Sequence, residues 1–183
     1  MLYIMRHGRT DWNDRHKMQG RTDTHLNENG IQMAKNACKE YGNVHFDICF
    51  CSPLARAVET AELVLKGRNV PIVLDERLVE MGFGSFEGLE NSYKIPDCPI
   101  NVFFQKPEEY DRAAPDAESM DELFTRTGEF LREKAYPLVE AGKDVLIIGH
   151  GAMNSCIVCQ VKNRDRSQFW ADGIENCKLM RLL

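Results

Sequence analysis

The sequence predicts an α/β fold in which a mostly parallel central sheet lies between two layers of helices. Two observations support this three-layer α/β/α sandwich. Short apolar runs of strand length alternate with longer segments that carry apolar residues at helical spacing. A helix-start signal follows the second apolar run directly. The 183 residues, 43% of them hydrophobic, are enough for one domain with a sizeable core.

Five elements are predicted in the first half of the chain. Apolar residues at 31, 34 and 37 recur at helical spacing and place one helix between two apolar runs. After the second run, Ser52 and Pro53 supply an N-cap and a proline at the first helical position. In chain order the elements are a strand at 2–5, a helix at 27–41, a strand at 46–51, a helix from Ser52 to Gly67 and a strand at 71–74.

The second half of the chain adds two helices and two strands. Ser119 and Glu122 form the capping-box pattern that opens a helix, and Pro137 is expected to kink or interrupt it. The most apolar run of the chain predicts a buried strand that ends at a Gly-His-Gly triplet. In order, the elements are the helix opened by Ser119, a strand at 144–148, a helix through Val161 and an edge strand at 178–183.

Helical and strand periodicity both fail between residues 89 and 117. Four prolines lie in this segment together with several aromatic residues, which argue against disorder. A long irregular segment inside a compact domain is usually a lid or a binding loop. We therefore predict a single domain, residues 1–183, with a lid-like insertion at about 89–117.

Composition and charge argue against several classes of protein. The net charge is −5 and the isoelectric point about 5.6, without a basic stripe, which argues against a nucleic-acid partner. No apolar segment approaches the roughly 18 residues of a membrane helix and no leader pattern begins the chain, so we expect a cytoplasmic protein without a membrane partner. Seven cysteines scattered through apolar runs favour a reducing compartment, and Cys156 and Cys159 are interpreted as parts of a buried helix.

Two predicted strands end alike, with apolar residues followed by His-Gly at His7 and His150. Ligands of parallel α/β sheets bind at the carboxyl ends of the strands. Arg6 and Arg56 are predicted at the same edge, where guanidinium groups suit a phosphate and repel a metal cation. Two histidines are also too few ligands for a metal site. Backbone N–H groups of the helices after the second and fourth strands are expected to bind the same anion.

Short motifs with a fixed order run along most of the chain. They are RHGRT (6–10) with WN (12–13), QG (19–20) with LxxxG (26–30), SPLARA (52–57) with TA (60–61), LxE (78–80) with FEG (86–88), AES (117–119) and GHG (149–151). As an ordered set they resemble the signatures of the histidine phosphatase superfamily, the phosphoglycerate mutase-like proteins.

The resemblance implies a covalent mechanism in which His7 attacks phosphorus and forms a phosphohistidine. One ring nitrogen of His7 would attack while a backbone carbonyl holds the other N–H. Arg6, Arg56 and His150 would bind the phosphoryl oxygens, and Asn13 would donate a further hydrogen bond. Arginines then supply the positive charge, so the resemblance implies neither a metal nor a cofactor.

The general acid implied by the resemblance is Glu80, which would protonate the leaving oxygen and then activate a water molecule. Glu76 and Glu87 lie near it in the chain and are the alternatives for the acid, although Glu87 with Gly88 is interpreted as a structural turn. The same reasoning interprets Glu118 as part of the cap of the following helix.

Substrate contacts beyond the phosphate are expected from the segment that follows the first motif. Its candidate residues are Gln19, Gly20 and Arg21. Arg9 departs from the acidic or glutamine residue common at its position in the family, and we expect it to point away from the phosphate.

Phosphatases and mutases of this family share the first half-reaction and differ in what accepts the phosphoryl group. Family mutases carry a basic insertion after the Glu-Gly segment, whereas residues 89–117 are short and more acidic than basic. We therefore predict a phosphatase that acts on a small phosphorylated metabolite. A phosphoglycerate mutase is the alternative, and a non-catalytic phosphate-binding module is a more remote one. The sequence names neither the substrate nor the oligomeric state.

Overall fold

A five-stranded sheet forms the centre of the computed structural model, which describes residues 1–183. The strands are β1 (Leu2–Arg6), β2 (Ile48–Cys51), β3 (Ile72–Leu74), β4 (Val145–Gly149) and β5 (Leu179–Arg181). Their order across the sheet is β3–β2–β4–β1–β5. The first four strands in this order are parallel, and the edge strand β5 runs antiparallel to β1. The predicted α/β fold with a mostly parallel sheet is confirmed.

Helices cover both faces of the sheet. They are α1 (Asp11–Asp14), α2 (Glu28–Glu40), α3 (Ala55–Val64), α4 (Asn101–Gln105), α5 (Met120–Phe130), α6 (Tyr136–Glu140) and α7 (Gly151–Val161). Helices α2 and α3 pack together on one face, and α5 and α7 on the other. A π-helical turn, Leu131–Ala135, separates α5 from α6 just before Pro137, where an interruption was expected. None of these helices combines the length and the apolar character that crossing a bilayer requires.

Side chains of the central strands alternate between two hydrophobic clusters, one on each face of the sheet. Leu2 and Ile4 of β1 join the cluster of α5 and α7, whereas Tyr3 and Met5 join the cluster of α2 and α3. Strand β4 alternates in the same way. Because both faces are buried, these strands are almost wholly apolar, and the first polar residues appear where each strand ends.

Two predicted helix starts have different outcomes. Ser119 and Glu122 form the capping box, with Glu122 N–H donating to the Ser119 hydroxyl at 3.1 Å. The helix after β2, however, begins at Ala55 with Leu54 at the cap position, so the predicted start at Ser52 was wrong. The Ser52 hydroxyl accepts a 3.3 Å bond from Leu54 N–H and is also bonded to the ring of His150.

Residues 89–117 contain short 3-10 turns and α4 but no strand. The ring of Phe103 anchors this segment, since it is fully buried and packs against Tyr110, Phe83 and Phe169. The loss of periodicity in the sequence therefore corresponds to an irregular segment that is attached to the core by aromatic contacts.

Candidate active site

The two His-Gly strand ends meet at one edge of the sheet. Arg6 and Gly149 are paired across β1 and β4, so the next residues, His7 and His150, lie side by side. Their ring centroids are 5.2 Å apart, and the two residues are 2% and 0% exposed. The parallel pairing of two apolar strands is what brings together residues that are far apart in the sequence.

The ring of His7 has a defined orientation. Its Nδ1 lies 2.6 Å from the carbonyl oxygen of Gly8, which has no proton to give, so Nδ1 carries the hydrogen and donates it. This leaves the lone pair on Nε2, and His7 lines a cleft of about 200 Å³. We expected a backbone carbonyl to accept one ring N–H of this histidine, and the carbonyl of Gly8 does so.

Arg6 and Arg56 line the same cleft and pair with no carboxylate. The Arg6 guanidinium donates to the carbonyl of Ile174 at 3.0 Å, and Arg56 donates to those of Gly20 and Thr22 at 2.7 and 2.9 Å. The Nε atom of each arginine is buried and makes no hydrogen bond within the protein. Buried positive charge without a directly paired carboxylate favours an anionic ligand.

The two buried histidines are held in their neutral form. Burial, followed by the charges of Arg6 and Arg56, lowers the pKa of His7 well below its usual value. Burial and then Arg56 lower the pKa of His150 in the same way. A neutral imidazole with a free Nε2 is the nucleophilic form of histidine.

Glu80 also lines the cleft, at the N-terminus of α7. Its carboxylate accepts backbone hydrogen bonds from Met81 at 2.9 Å, Met153 at 3.0 Å and Ala152 at 3.2 Å. At α3, the N–H of Ala55 donates to Asp23 at 2.8 Å. In this structure each of these helix N-termini donates to a carboxylate of the chain, which reduces the number of backbone N–H groups left for the anion.

A buried ion pair holds the backbone around Glu80 in place. Arg126 donates to the Glu118 carboxylate through Nε at 2.6 Å and to the carbonyl of Glu80 through Nη2 at 3.2 Å. Glu118 also accepts the N–H of Gly82 at 3.1 Å, and its side chain is 6% exposed. The interpretation of Glu118 as a helix cap was wrong: Ser119 is the cap, and Glu118 connects α5 to the segment that carries Glu80.

The C-terminal part of the chain also supports the site. Asn176 donates through Nδ2 to the carbonyl of His7 at 2.6 Å, and Cys177 N–H donates to the carbonyl of Arg6 at 2.8 Å. Together with the Ile174 contact, these bonds hold the end of β1 from the side opposite β4.

The candidate phosphate ligand Asn13 and the candidate substrate residues divide into two groups. Asn13, Gln19 and Gly20 line the 200 Å³ cleft with His7. Arg21 does not line it; its guanidinium pairs with Glu118 at 3.1 Å and faces a separate open cleft of about 790 Å³. Arg9 is paired with Asp14 at 2.6 Å and lies outside the 200 Å³ cleft, as expected.

Several residues that line the cleft were missed in the sequence. They are Lys17, Met18, Phe83, Phe103, Phe104 and Trp170. The aromatic content of 89–117 was a signal for Phe103 and Phe104. Trp170 gave none, since it lies in an irregular segment far along the chain and reaches the cleft only through the tertiary fold.

Lowering the pH from 7.5 towards 5 is expected to destabilise the protein. In the unfolded chain, His7 and His150 bind protons as the pH falls through about 6.5. In the folded chain they stay neutral at that pH, because their pKa values are lowered. The free energy of unfolding should therefore fall by up to about 1.4 kcal/mol per pH unit for each histidine, beginning near pH 6.5. Exposed His25, whose pKa is raised by Glu59, acts in the opposite direction.

Urea unfolding at several pH values measures this dependence. His150→Gln should remove about half of the slope, whereas the exposed His45→Gln is the matched control. A free energy of unfolding that stays constant between pH 7.5 and 5 would contradict the assignment of two neutral buried histidines.

The chain is similar to known proteins over most of its length. A family model described as "Histidine phosphatase superfamily (branch 1)" matches residues 2–183. Over 164 residues the chain is 32% identical to "Uncharacterized phosphatase PhoE" of Bacillus subtilis, covering 88% of this chain and 77% of that protein. Over 153 residues it is 31% identical to a 2,3-bisphosphoglycerate-dependent phosphoglycerate mutase of Cytophaga hutchinsonii, and the match covers 82% of this chain and 72% of that protein. The solved structure of YhfR from Bacillus stearothermophilus matches with a TM-score of 0.84 and 30% identity, and the match covers 97% of this chain and 88% of that structure.

Proposed function

Since the chain belongs to the histidine phosphatase superfamily, we propose that it is a metal-independent phosphatase that hydrolyses a small phosphomonoester through a phosphohistidine on His7. The observation that carries the proposal is the free Nε2 of a neutral, buried histidine beside two arginines that pair with no carboxylate. A nucleophile and an anion site in one cleft are the two parts that phosphoryl transfer needs.

In the first step, Nε2 of His7 attacks phosphorus, and the P–N bond forms as the P–O bond to the leaving group breaks. Arg6 and Arg56 bind the non-bridging oxygens and stabilise the charge that spreads over them. Asn13 donates a further hydrogen bond from the cleft wall. Glu80, which lines the same cleft, transfers a proton to the leaving oxygen.

In the second step, a water molecule attacks the phosphohistidine. Glu80 accepts the proton of the water, the P–N bond breaks, and inorganic phosphate leaves with His7 neutral again.

A dianionic phosphoryl group offsets the charge of the arginines and favours the protonated form of His150, which then donates to a phosphoryl oxygen. Gln19 and Gly20 lie in the cleft where the leaving group would be contacted.

The positions of the basic residues in 89–117 favour a phosphatase over a mutase. Lys94, Lys106 and Arg112 are absent from the lining of the cleft. Lys106 is paired with Glu109 at 2.9 Å, and Arg112 lies 3.5 Å from Glu122. A bisphosphorylated intermediate would therefore find few unpaired cations to hold it while water is excluded.

The proposal extends to the domain organisation, the partner and the location of the protein. The chain is a single phosphatase domain, and residues 89–117 act as a lid over the cleft through Phe103 and Phe104. The partner is a small phosphorylated metabolite. Seven unpaired cysteines, of which all but Cys38 are buried, support a cytoplasmic location.

Two assays test the proposal. With a metal chelator present, the protein should hydrolyse p-nitrophenyl phosphate between mildly acidic and neutral pH. It should convert 3-phosphoglycerate to 2-phosphoglycerate only weakly, with or without 2,3-bisphosphoglycerate. Absence of hydrolysis would overturn the enzyme assignment, and efficient interconversion would replace the phosphatase with the mutase.

A further inference from the structure

The cleft has a second part that the phosphoryl chemistry does not use. Beyond the groups that would hold phosphate, its wall is formed by aromatic rings and Met18. The rings of Phe104 and Trp170 are stacked, with centroids 5.7 Å apart and planes inclined by 23°. Phe104 is 46% exposed, which is high for a large apolar side chain. A partly exposed aromatic pair in the lining of a ligand cleft offers a flat apolar surface to the group that the phosphate is attached to.

This aromatic wall is held rigidly. The indole Nε1–H of Trp170 donates to the carbonyl of Phe103 at 2.9 Å, which ties residues 89–117 to the C-terminal part of the chain. The buried ring of Phe103 lies behind the pair, 5.1 Å from Trp170 and 5.3 Å from Phe104 between centroids. The wall is therefore formed before any ligand arrives, and stacking on it costs little side-chain entropy.

The charge of the cleft limits what can occupy it. Lys17 is the only lysine or arginine of the lining other than Arg6 and Arg56. Its ammonium lies 3.5 Å from a Glu90 oxygen and 5.2 Å from the centroid of the Trp12 ring, so its charge is already partly balanced. Arg21 faces the other cleft. A leaving group with a carboxylate would lose water without gaining a free cation.

We infer that Phe104 and Trp170 determine specificity, selecting a compact phosphomonoester whose leaving group is planar and uncharged over one that carries a carboxylate. This inference rests on the phosphatase activity proposed above. A cleft of about 200 Å³ lies below the usual range of ligand sites, roughly 300 to 1,000 Å³, which favours one ring over a larger group. The substrate class is thus an aryl or similarly flat phosphate ester, and phosphoglycerates are disfavoured.

Binding of three phosphonates tests the inference without requiring turnover. Phenylphosphonate, propylphosphonate and 3-phosphonopropionate share the group that the arginines would hold and differ only in the part that meets the wall. Titration calorimetry of the wild type should give a Kd for phenylphosphonate at least about fivefold lower than for either of the others.

The partly exposed Phe104 permits a substitution that the fold should tolerate. Phe104→Leu keeps an apolar side chain but removes the ring, and it should reduce the preference for phenylphosphonate over propylphosphonate to about twofold or less. Tyr93→Leu is the matched control, since Tyr93 is a 62% exposed aromatic residue of the same segment that does not line the cleft. It should leave the preference unchanged.

The outcomes separate this inference from the proposed function. Equal affinities in the wild type, tighter binding of 3-phosphonopropionate, or a preference that survives Phe104→Leu would each overturn the role of the aromatic wall. Selective binding of phenylphosphonate by a protein that hydrolyses no phosphomonoester would overturn the phosphatase and leave the selectivity of the wall supported.

Discussion

Replacement of His7 by alanine is expected to lower kcat/KM for an aryl phosphate by about four orders of magnitude or more. His7 supplies the only atom of the cleft that is proposed to bond to phosphorus, and loss of a nucleophile commonly costs this much. The variant should still bind phosphate, because Arg6 and Arg56 are held by backbone carbonyls rather than by the histidine. Steady-state hydrolysis and phosphate titration measure the two effects.

Trapping of the intermediate makes the same prediction more specific. Wild-type protein denatured during turnover of a radiolabelled substrate should carry a label that is stable in alkali and lost in acid, as expected for a phosphoramidate. His7→Ala should carry none, whereas the exposed His45→Ala should be labelled like the wild type. Substantial turnover by His7→Ala would place the nucleophile elsewhere.

Arg126→Ala is expected to destabilise the fold by about 3 kcal/mol and to lower kcat while KM changes little. The substitution leaves the Glu118 carboxylate, 6% exposed, with the half-exposed Arg21 as its only charged partner, and removal of one member of a buried pair is costly. It also removes a donor from the carbonyl of Glu80, so the proposed acid would be less well positioned. Urea unfolding and steady-state kinetics measure the two effects.

Controls for this ion pair are available in the same region. Arg132→Ala removes an exposed arginine one turn beyond α5 and should change the free energy of unfolding by less than about 0.5 kcal/mol. The double variant Glu118→Gln/Arg126→Gln should lose less stability than the two single losses added together, since the partners are coupled. Additive losses would show that the two side chains are not coupled, and an unchanged kcat in Arg126→Ala would show that the pair does not position Glu80.

The central sheet and the approach of His7 to His150 were predictable because local patterns carry them. Buried parallel strands are nearly continuous apolar runs, and a His-Gly pair follows directly on both β1 and β4. The start of α3 was misplaced: Leu54 occupies the cap position, and the hydroxyl of Ser52 bonds to the ring of His150, 98 residues away. A capping pattern in the sequence contains no information about such a distant partner.

The parts that were missed depend on contacts between distant segments. Glu118 looked like a cap because it precedes Ser119, but its carboxylate bonds to Gly82, on another part of the chain. Trp170 lines the cleft, and its indole N–H donates to the carbonyl of Phe103, on a distant segment of the chain. Arg21 follows two cleft residues directly, yet its side chain faces away, since a turn sends neighbouring side chains in different directions.

The contacts of Ile174 and Asn176 with Arg6 and His7 have a consequence for the order in which the protein is made. Along the chain, His7 precedes Asn176 by 169 positions and Arg6 precedes Ile174 by 168. A nascent chain on the ribosome therefore carries the histidine long before its supports exist. A translation product that stops before Ile174 would lack the bonds that hold Arg6 and the carbonyl of His7, and it should therefore be catalytically silent.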